Sequence, residues 1–202
     1  MQLLVPRSLD QALRQLAANA DARPVAGGTD LFVRWPHRYA HLDGPLIDLT
    51  HIPELRYLHL SGDQLSIGAT ATYWDLLSDL EICDQFSMLA LAARQVGAIQ
   101  VQARGTWAGN VVNASPAADG VMALIACDAA VEVRSIAGCW EYPLSAFYTG
   151  YRSTRLRPGQ LVTALKVPRI ERSHISFHKV GGRRGQTISK VGLAVCRSQG
   201  EW

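Results

Sequence analysis

Cysteine is scarce in this sequence, and its spacing excludes the usual metal-binding motifs. The cysteines are spread over 202 residues and match no zinc or iron–sulfur pattern: Cys83, Cys127, Cys139 and Cys196. Three histidines, His37, His41 and His51, have loop-like spacing and no accompanying carboxylate pattern. We therefore expect reduced, buried thiols and no metal site on this chain.

Long apolar runs and dense charge of one sign are also absent. No run reaches the ~18 apolar residues of a transmembrane helix, and the N-terminus lacks the basic and apolar regions of a signal peptide. The net charge is +3, and no basic cluster exceeds the adjacent Arg183 and Arg184, which is too diffuse to favour nucleic-acid binding. These absences leave a cytoplasmic location as the expectation.

The composition that remains is that of a globular protein. Hydrophobic residues make up 48% of the chain and charged residues 18%. A chain of this length supports one good core or two small subdomains.

Residues 104–119 form a long stretch of polar and small residues between two apolar helical patterns. Gly105 and Gly109 allow a ligand to approach the main chain closely. Short hydrogen-bonding side chains follow them, at Thr106, Asn110, Asn113 and Ser115. Ser115 followed by Pro116 is typical of a helix N-cap, where negative charge is favoured. The residues alone favour either a loop that holds a polar ligand or an ordinary turn before a capped helix.

A second candidate site lies near the N-terminus, where a predicted short strand at residues 23–26 runs into two glycines. Gly27 and Gly28 are followed by Thr29 and Asp30, which begin a helical turn. This order lets backbone N–H groups meet a phosphate, but its spacing is neither that of the dinucleotide fingerprint nor that of a P-loop. A plain turn is the alternative.

The rest of the N-terminal half predicts alternating strands and helices. Ser8 caps a helix, and strands at residues 3–5, 23–26 and 45–49 complete a small βαβ-type unit. Residues 55–60 and 64–68 predict a hairpin. Thr72 and Asp75 form a capping-box-like start to a short helix, and residues 86–96 predict a second one.

The C-terminal half predicts mainly strands. Residues 99–102 predict a strand, and residues 116–127 predict a helix that buries Val121, Leu124 and Ile125, with Gly120 as a weak position. A hairpin is expected at 130–143, and strands at 161–167, 175–180 and 191–197. Residues 198–202 resemble a hairpin turn without its returning strand, so we interpret the chain as truncated or a fragment.

Five stretches in order give the sequence a specific family resemblance. They are Ala-Gly-Gly-Thr-Asp-Leu at 26–31, Ile-Gly-Ala-Thr-Ala-Thr at 67–72, Arg-Gly-Thr-Trp-Ala-Gly-Asn at 104–110 with Ala-Ser-Pro-Ala-Ala-Asp at 114–119, Phe-Tyr-Thr-Gly-Tyr-Arg at 147–152, and His-Lys-Val-Gly-Gly-Arg-Arg at 178–184. They resemble the FAD-binding subunit or domain of molybdenum hydroxylases, the group of xanthine dehydrogenase and aerobic carbon monoxide dehydrogenase. One departure is that the family often has two glycines where this chain has Ala108 and Gly109.

The resemblance implies an α+β fold: the two-subdomain FAD-binding fold of the vanillyl-alcohol oxidase and molybdopterin dehydrogenase type, with only the start of the usual C-terminal domain. The implied boundaries are a small βαβ-type FAD-binding subdomain at 1–53, a second α+β FAD-binding subdomain at 54–172, and the start of a truncated C-terminal domain at 173–202.

The resemblance also implies which residues hold FAD. Residues 25–30 would turn around the pyrophosphate, and residues 106–110 would hold the diphosphate and ribityl region. Asp119 would bind the adenosine portion or order the loop, Val162 would contact the cofactor, and Lys179 would lie near the flavin. The full expected cofactor-binding set is Val25, Ala26, Gly27, Gly28, Thr29, Asp30, Thr72, Thr106, Trp107, Ala108, Gly109, Asn110, Asp119, Val162 and Lys179. We expect no catalytic side chain and no metal ligand on this chain.

By the same resemblance, the chain is an electron-transfer flavoprotein subunit of an oxidoreductase. Substrate would be hydroxylated at a molybdenum cofactor on a large partner subunit. Electrons would then pass through [2Fe–2S] clusters on a small partner subunit to FAD, and on to NAD+ or another acceptor. Two alternatives stay open: a truncated remnant that folds without binding FAD, and a stand-alone flavin oxidase, for which the chain has little room.

Overall fold

A parallel and an antiparallel sheet organise the computed structural model, which describes residues 2–33, 44–169, 172–183 and 185–198. The parallel sheet has the order β1-β3-β2, with β1 (Leu3–Leu4), β2 (Arg23–Val25) and β3 (Leu46–Asp48). Helix α1 (Leu9–Ala18) connects β1 to β2, and helix α2 (Thr29–Val33) follows β2. The βαβ-type unit expected from the sequence is therefore present.

Some features predicted from the sequence lie outside the described residues. They are the helical turn beyond residue 33, His37, His41, Arg184 and the C-terminal turn at 199–202.

Helix α1 begins where the sequence predicted. The Ser8 hydroxyl accepts a hydrogen bond from the Gln11 N–H at 3.2 Å, which satisfies one of the N–H groups that a helix start leaves unpaired. Ala12, Leu13 and Leu16 recur at helical spacing and are buried, so one face of the helix packs into the core.

The antiparallel sheet has five strands in the order β4-β5-β10-β6-β7. They are β4 (Leu58–Ser61), β5 (Gln64–Gly68), β6 (Ala130–Ser135), β7 (Gly138–Pro143) and β10 (Leu161–Pro168). Both predicted hairpins are present, because Ser61 pairs with Gln64 and Ser135 with Gly138. Helix α1 packs against both β3 and β6 and so links the two sheets.

Short helices occupy the chain between β5 and β6. They are α3 (Tyr73–Leu77), α4 (Leu80–Gln85), α5 (Ser87–Ala93), α6 (Ile99–Gln102), α7 (Trp107–Asn113) and α8 (Asp119–Ala126). Helix α7 packs on β10 and α8 packs on α5. Among the described residues, no helix has the length and apolar character needed to cross a membrane.

Two further hairpins follow. Strands β8 (Tyr148–Gly150) and β9 (Ser153–Thr154) form a small one. Strands β11 (Arg172–Val180) and β12 (Val191–Ser198) form the last, whose strands contact α5 and α8 respectively. The proposed domain boundaries stay a prediction.

The strand predicted at residues 99–102 is wrong, because these residues form helix α6. The N–H groups of Val101 and Gln102 both donate to the Ala98 carbonyl, at 2.8 and 2.9 Å. Four residues that alternate apolar and polar do not distinguish a strand from a single helical turn.

The predicted start of the helix after the polar stretch is also wrong. It begins at Asp119 and not at Pro116. Ser115 instead starts a turn, in which its hydroxyl accepts the Ala117 N–H at 3.3 Å. In α8 itself Val121 and Leu124 are buried as expected, whereas Ile125 is 39% exposed. The predicted helix at 86–96 corresponds to α5, and the sequence did not predict α4 before it.

Candidate functional site

The two glycine-containing stretches predicted from the sequence lie directly against each other. A Cβ on Gly27 would collide with the carbonyl group of Arg104, and the Arg104 Nε donates to the Gly27 carbonyl at 3.4 Å. Gly28 has a φ of +71°, which residues with side chains rarely adopt. Gly27 is therefore required by the close approach of two backbones, and Gly28 by the turn into α2.

A cleft of about 180 Å³ lies between these stretches. One wall comes from β2 and the start of α2, and the other from α6, α7 and the turn between them. Nine of the residues expected to bind cofactor line this cleft: Val25, Ala26, Gly27, Gly28, Thr29, Asp30, Thr106, Gly109 and Asn110. The structure thus brings together two stretches that are about 80 positions apart in sequence, which is the arrangement the resemblance implied.

A second cleft, of about 240 Å³, is also lined by Ala26 and Gly27. Most of its lining residues are threonines and arginines: Thr50, Arg56, Thr70, Thr72, Arg104 and Thr106. The Thr70 hydroxyl is buried and has no hydrogen-bond partner within the described ranges. Thr72 of the expected set belongs to this cleft rather than to the first.

Thr72 and Thr106 are held side by side by the main chain. They form an isolated antiparallel bridge, in which the Tyr73 N–H donates to the Gly105 carbonyl at 3.1 Å. Each threonine also caps a helix, because Thr72 accepts the Asp75 N–H and Thr106 accepts the Gly109 N–H, both at 3.0 Å. The stretch at 104–119 does not form a single loop, because helix α7 occupies its middle.

The capping box at Thr72 makes stability depend on pH. Burial acts to raise the pKa of the Asp75 carboxyl, but hydrogen bonds from Thr72 and Arg56 outweigh it and hold the pKa below its ordinary value. A depressed pKa means that the stabilisation is present above the ordinary value of ~3.9 and is lost as the pH falls through the folded-state value.

Replacing Asp75 by asparagine is expected to lower the free energy of unfolding by about 0.5–2 kcal/mol at neutral pH, as for other lost caps. The difference in the free energy of unfolding between the variant and the parent should become smaller below about pH 4, where the parent carboxyl also becomes neutral. Urea unfolding of both proteins at neutral and acidic pH measures this. Asp63→Asn is the control, because the Asp63 side chain is 87% exposed. If this difference in free energy stays constant as the pH falls, the Asp75 carboxylate is not the source of the pH dependence.

Three residues of the expected set are buried behind the clefts. Trp107 and Ala108 are 0% and 4% exposed, and Val162 in β10 is 2% exposed. The Trp107 ring packs against that of Tyr73 with centroids 4.6 Å apart. None of the three lines either cleft, so any contact they make with a cofactor stays a prediction.

Asp119 and Lys179 are brought together, but they bind each other. Lys179 Nζ donates to Asp119 Oδ2 at 2.5 Å, and their side chains are only 5% and 9% exposed. Lys179 Nζ also donates to the Gln95 carbonyl at 3.0 Å. Burial raises the pKa of the Asp119 carboxyl, and the Lys179 ammonium offsets part of this effect. The pair ties β11 to the first turn of α8.

A wider groove of about 620 Å³ lies between α8, β8 and β12. The stretch at residues 147–152 contributes two tyrosines, Tyr148 and Tyr151. Both line this groove: Tyr148 is half-buried and its hydroxyl donates to the Val111 carbonyl at 3.1 Å, while Tyr151 is 79% exposed. Tyr151 therefore does not fill the core.

The sequence did not identify several residues that line the first cleft. They include Tyr73, Val96 and Val101, whereas Gly105 was expected to allow close ligand approach but was not in the expected cofactor-binding set. Tyr73 directly follows Thr72, whose capping role could be predicted from the sequence. Only the long-range pairing of residues 72 and 106 places its ring at the cleft.

The family described as "FAD binding domain in molybdopterin dehydrogenase" matches residues 1–170. The chain belongs to this family. This confirms the family expected from the five motifs. Within the FAD-binding domain family, the chain is 32% identical over 189 residues to the glyceraldehyde dehydrogenase medium chain of Sulfolobus acidocaldarius, covering 93% of this chain and 67% of that one. It is 30% identical over 197 residues to the nicotinate dehydrogenase FAD-subunit of Eubacterium barkeri, covering 95% and 66%.

A solved structure supports the same family. Carbon monoxide dehydrogenase from Hydrogenophaga pseudoflava matches with a TM-score of 0.92 and 28% sequence identity, over 99% of this chain and 70% of that chain. The α+β fold of the FAD-binding domain family is thereby confirmed. The chain spans about two thirds of the length of the curated relatives it matches.

Proposed function

We propose that this chain binds FAD in the cleft between residues 25–30 and 105–110, as the flavin subunit or domain of a molybdenum-containing dehydrogenase. The observation that carries the proposal is the packing of Gly27 against Arg104, which builds a cleft walled by main chain in a member of an FAD-binding family. Bound FAD would supply the redox chemistry, and the protein would supply binding and orientation.

The residues of the cleft fit a dinucleotide pyrophosphate. Gly27 and Gly28 have no side chains that would hold a phosphate away from the main chain. Helix α2 begins at Thr29, and the first N–H groups of a helix have no intrahelical partner and can donate to an anion. Thr106 and Asn110 on the opposite wall add side-chain donors.

The wider role is an electron-transfer step within a multi-subunit oxidoreductase. The relatives named above are a medium chain and an FAD-subunit of dehydrogenases, which supports partners that carry the molybdenum cofactor and [2Fe–2S] clusters. We propose that electrons pass from such clusters to FAD on this chain and then to NAD+ or another acceptor, in the cytoplasm. Oxidation of a purine, an aldehyde or carbon monoxide by this chain alone, without metal, would contradict this role.

Titration of the purified chain with FAD tests the proposal. We expect quenching of flavin fluorescence and a rise in the melting temperature, because a ligand that binds only the folded state stabilises it. If a saturating excess of FAD changes neither, the chain is a remnant that folds without the cofactor, and the proposal is wrong.

Replacing Asn110 by alanine should weaken FAD binding roughly ten- to a hundredfold, since a hydrogen bond to a charged group contributes about 1.5–3 kcal/mol. Asn113→Ala is the matched control, because Asn113 ends the same helix and does not line the cleft. Circular dichroism confirms that both variants fold. Equal FAD affinity in the two variants would place the site elsewhere.

A further inference from the structure

Two buried polar atoms lie next to Gly120 without a hydrogen bond. The Tyr73 hydroxyl and Asn110 Oδ1 are buried, and neither has a partner in the part of the chain that the structure describes. A Cβ on Gly120 would lie 2.7 Å from the hydroxyl and 3.0 Å from Oδ1, so both atoms border the same small space. Buried polar atoms are nearly always paired in folded proteins, so this arrangement requires a physical reason.

The two atoms are complementary. Burial raises the pKa of Tyr73 above its ordinary value, and the negative charges of Asp119 and Asp30 raise it further, so the hydroxyl keeps its proton and can donate. A carboxamide oxygen can only accept. The tyrosine ring packs on Trp107, and the main-chain N–H of Tyr73 donates to the Gly105 carbonyl. The donor is therefore held in place.

Asn110 lines the candidate cofactor cleft, and Oδ1 is the buried end of its side chain. With Oδ1 on the buried side, the amide nitrogen is the end of the carboxamide that can reach the cleft. A carboxamide that rotates by half a turn exchanges its donor and acceptor, and a phosphate group only accepts. The orientation of this one side chain decides whether it attracts or repels a pyrophosphate.

We propose that Tyr73 is a positioning residue for the cofactor: when FAD binds, its hydroxyl donates to Asn110 Oδ1, and this bond fixes the amide N–H groups towards the cofactor. The inference rests on the proposed function, because it concerns the same cleft. Gly120 is part of the arrangement, since any side chain there would stand between the two groups.

A competing partner for Tyr73 is Asp119, whose Oδ1 is also buried without a partner among the described residues. The two possibilities differ in one respect. If Tyr73 acts through Asn110, its hydroxyl has no effect on FAD binding once the Asn110 side chain is removed. If it acts through Asp119 or only stabilises the fold, the effect persists.

The experiment is a double-mutant cycle on FAD affinity, measured by flavin fluorescence with Tyr73→Phe, Asn110→Ala and the double variant. Tyr73→Phe keeps the ring, and we expect its FAD affinity to fall roughly three- to tenfold, as for the loss of one hydrogen bond. In the Asn110→Ala background the same change should have no further effect. Tyr57→Phe is the matched control, because Tyr57 lies outside the cleft.

Gly120→Ala provides an independent variant, because its methyl group would enter the space between the two polar atoms. It should weaken FAD binding in the parent and not in Asn110→Ala. Unchanged FAD affinity in Tyr73→Phe, or an undiminished effect in the Asn110→Ala background, overturns the positioning role while the proposed function stands. Failure of the parent chain to bind FAD overturns both.

Discussion

Lys179→Met is expected to lower the free energy of unfolding by about 3–5 kcal/mol, as for other buried ion pairs that lose one partner. The Lys179 and Asp119 side chains are 5% and 9% exposed, so removal of the ammonium leaves an almost fully buried carboxylate without its partner. The variant also loses the hydrogen bond to the Gln95 carbonyl. Methionine preserves most of the apolar stem, so the loss reports the charge rather than the packing.

Chemical denaturation of parent and variant at neutral pH measures this effect, and Arg14→Met is the matched control. Arg14 also pairs with an aspartate, Asp10, but the two side chains are 75% and 70% exposed, and such pairs contribute about 1 kcal/mol or less. The double variant Lys179→Met with Asp119→Leu should recover much of the stability, because an apolar pair replaces a buried ionic one. If Lys179→Met costs no more than Arg14→Met, the pair has no structural role.

This pair shows where sequence-based prediction of the site ends. The family resemblance implied that Lys179 lies near the flavin, and that Asp119 binds the adenosine portion or orders the loop. The structure places the two side chains on each other, between β11 and α8. Sixty positions separate them in the sequence. The sequence contains no signal that the fold brings these two residues into contact.

Local features could be predicted because their causes are local. Ser8 and Thr72 each accept an N–H three residues ahead, so both caps are visible in a short window of sequence. The same holds for the hairpin turn between Ser61 and Gln64. The prediction of a strand at residues 99–102 was wrong because one helical turn and a short strand share the same pattern. Contacts elsewhere in the fold decide between the two.

The cleft proposed for FAD could be predicted only in part. Its glycines stand out in the sequence, but the reason for Gly27 is the main chain of Arg104, 77 positions away. Gly28 instead marks the turn into α2, with a φ of +71°. The geometry ranks Gly27 first, since a clash with backbone has less freedom to relax than a clash with a side chain.

Gly27→Ala is therefore expected to have the largest effect on the cleft. The added methyl group collides with the Arg104 carbonyl, so one of the two walls must move. Insertion of a group into a closely packed site costs about 1–3 kcal/mol, and we expect the upper end of this range here. If the same displacement opposes FAD binding, affinity falls by roughly a hundredfold.

Two further glycine-to-alanine variants give a graded comparison. Gly28→Ala places a methyl group against the Phe32 ring, which is 54% exposed, and on a backbone with a φ of +71°, so we expect a loss of about 1 kcal/mol. Gly182→Ala meets no atom within 4 Å and should leave stability and FAD affinity unchanged. Thermal unfolding and flavin fluorescence, measured on all three variants, give the order. If Gly27→Ala binds FAD as tightly as Gly182→Ala, the contact between residues 27 and 104 does not build the cofactor site. The cleft wall that this contact holds would then be able to move without any effect on FAD affinity.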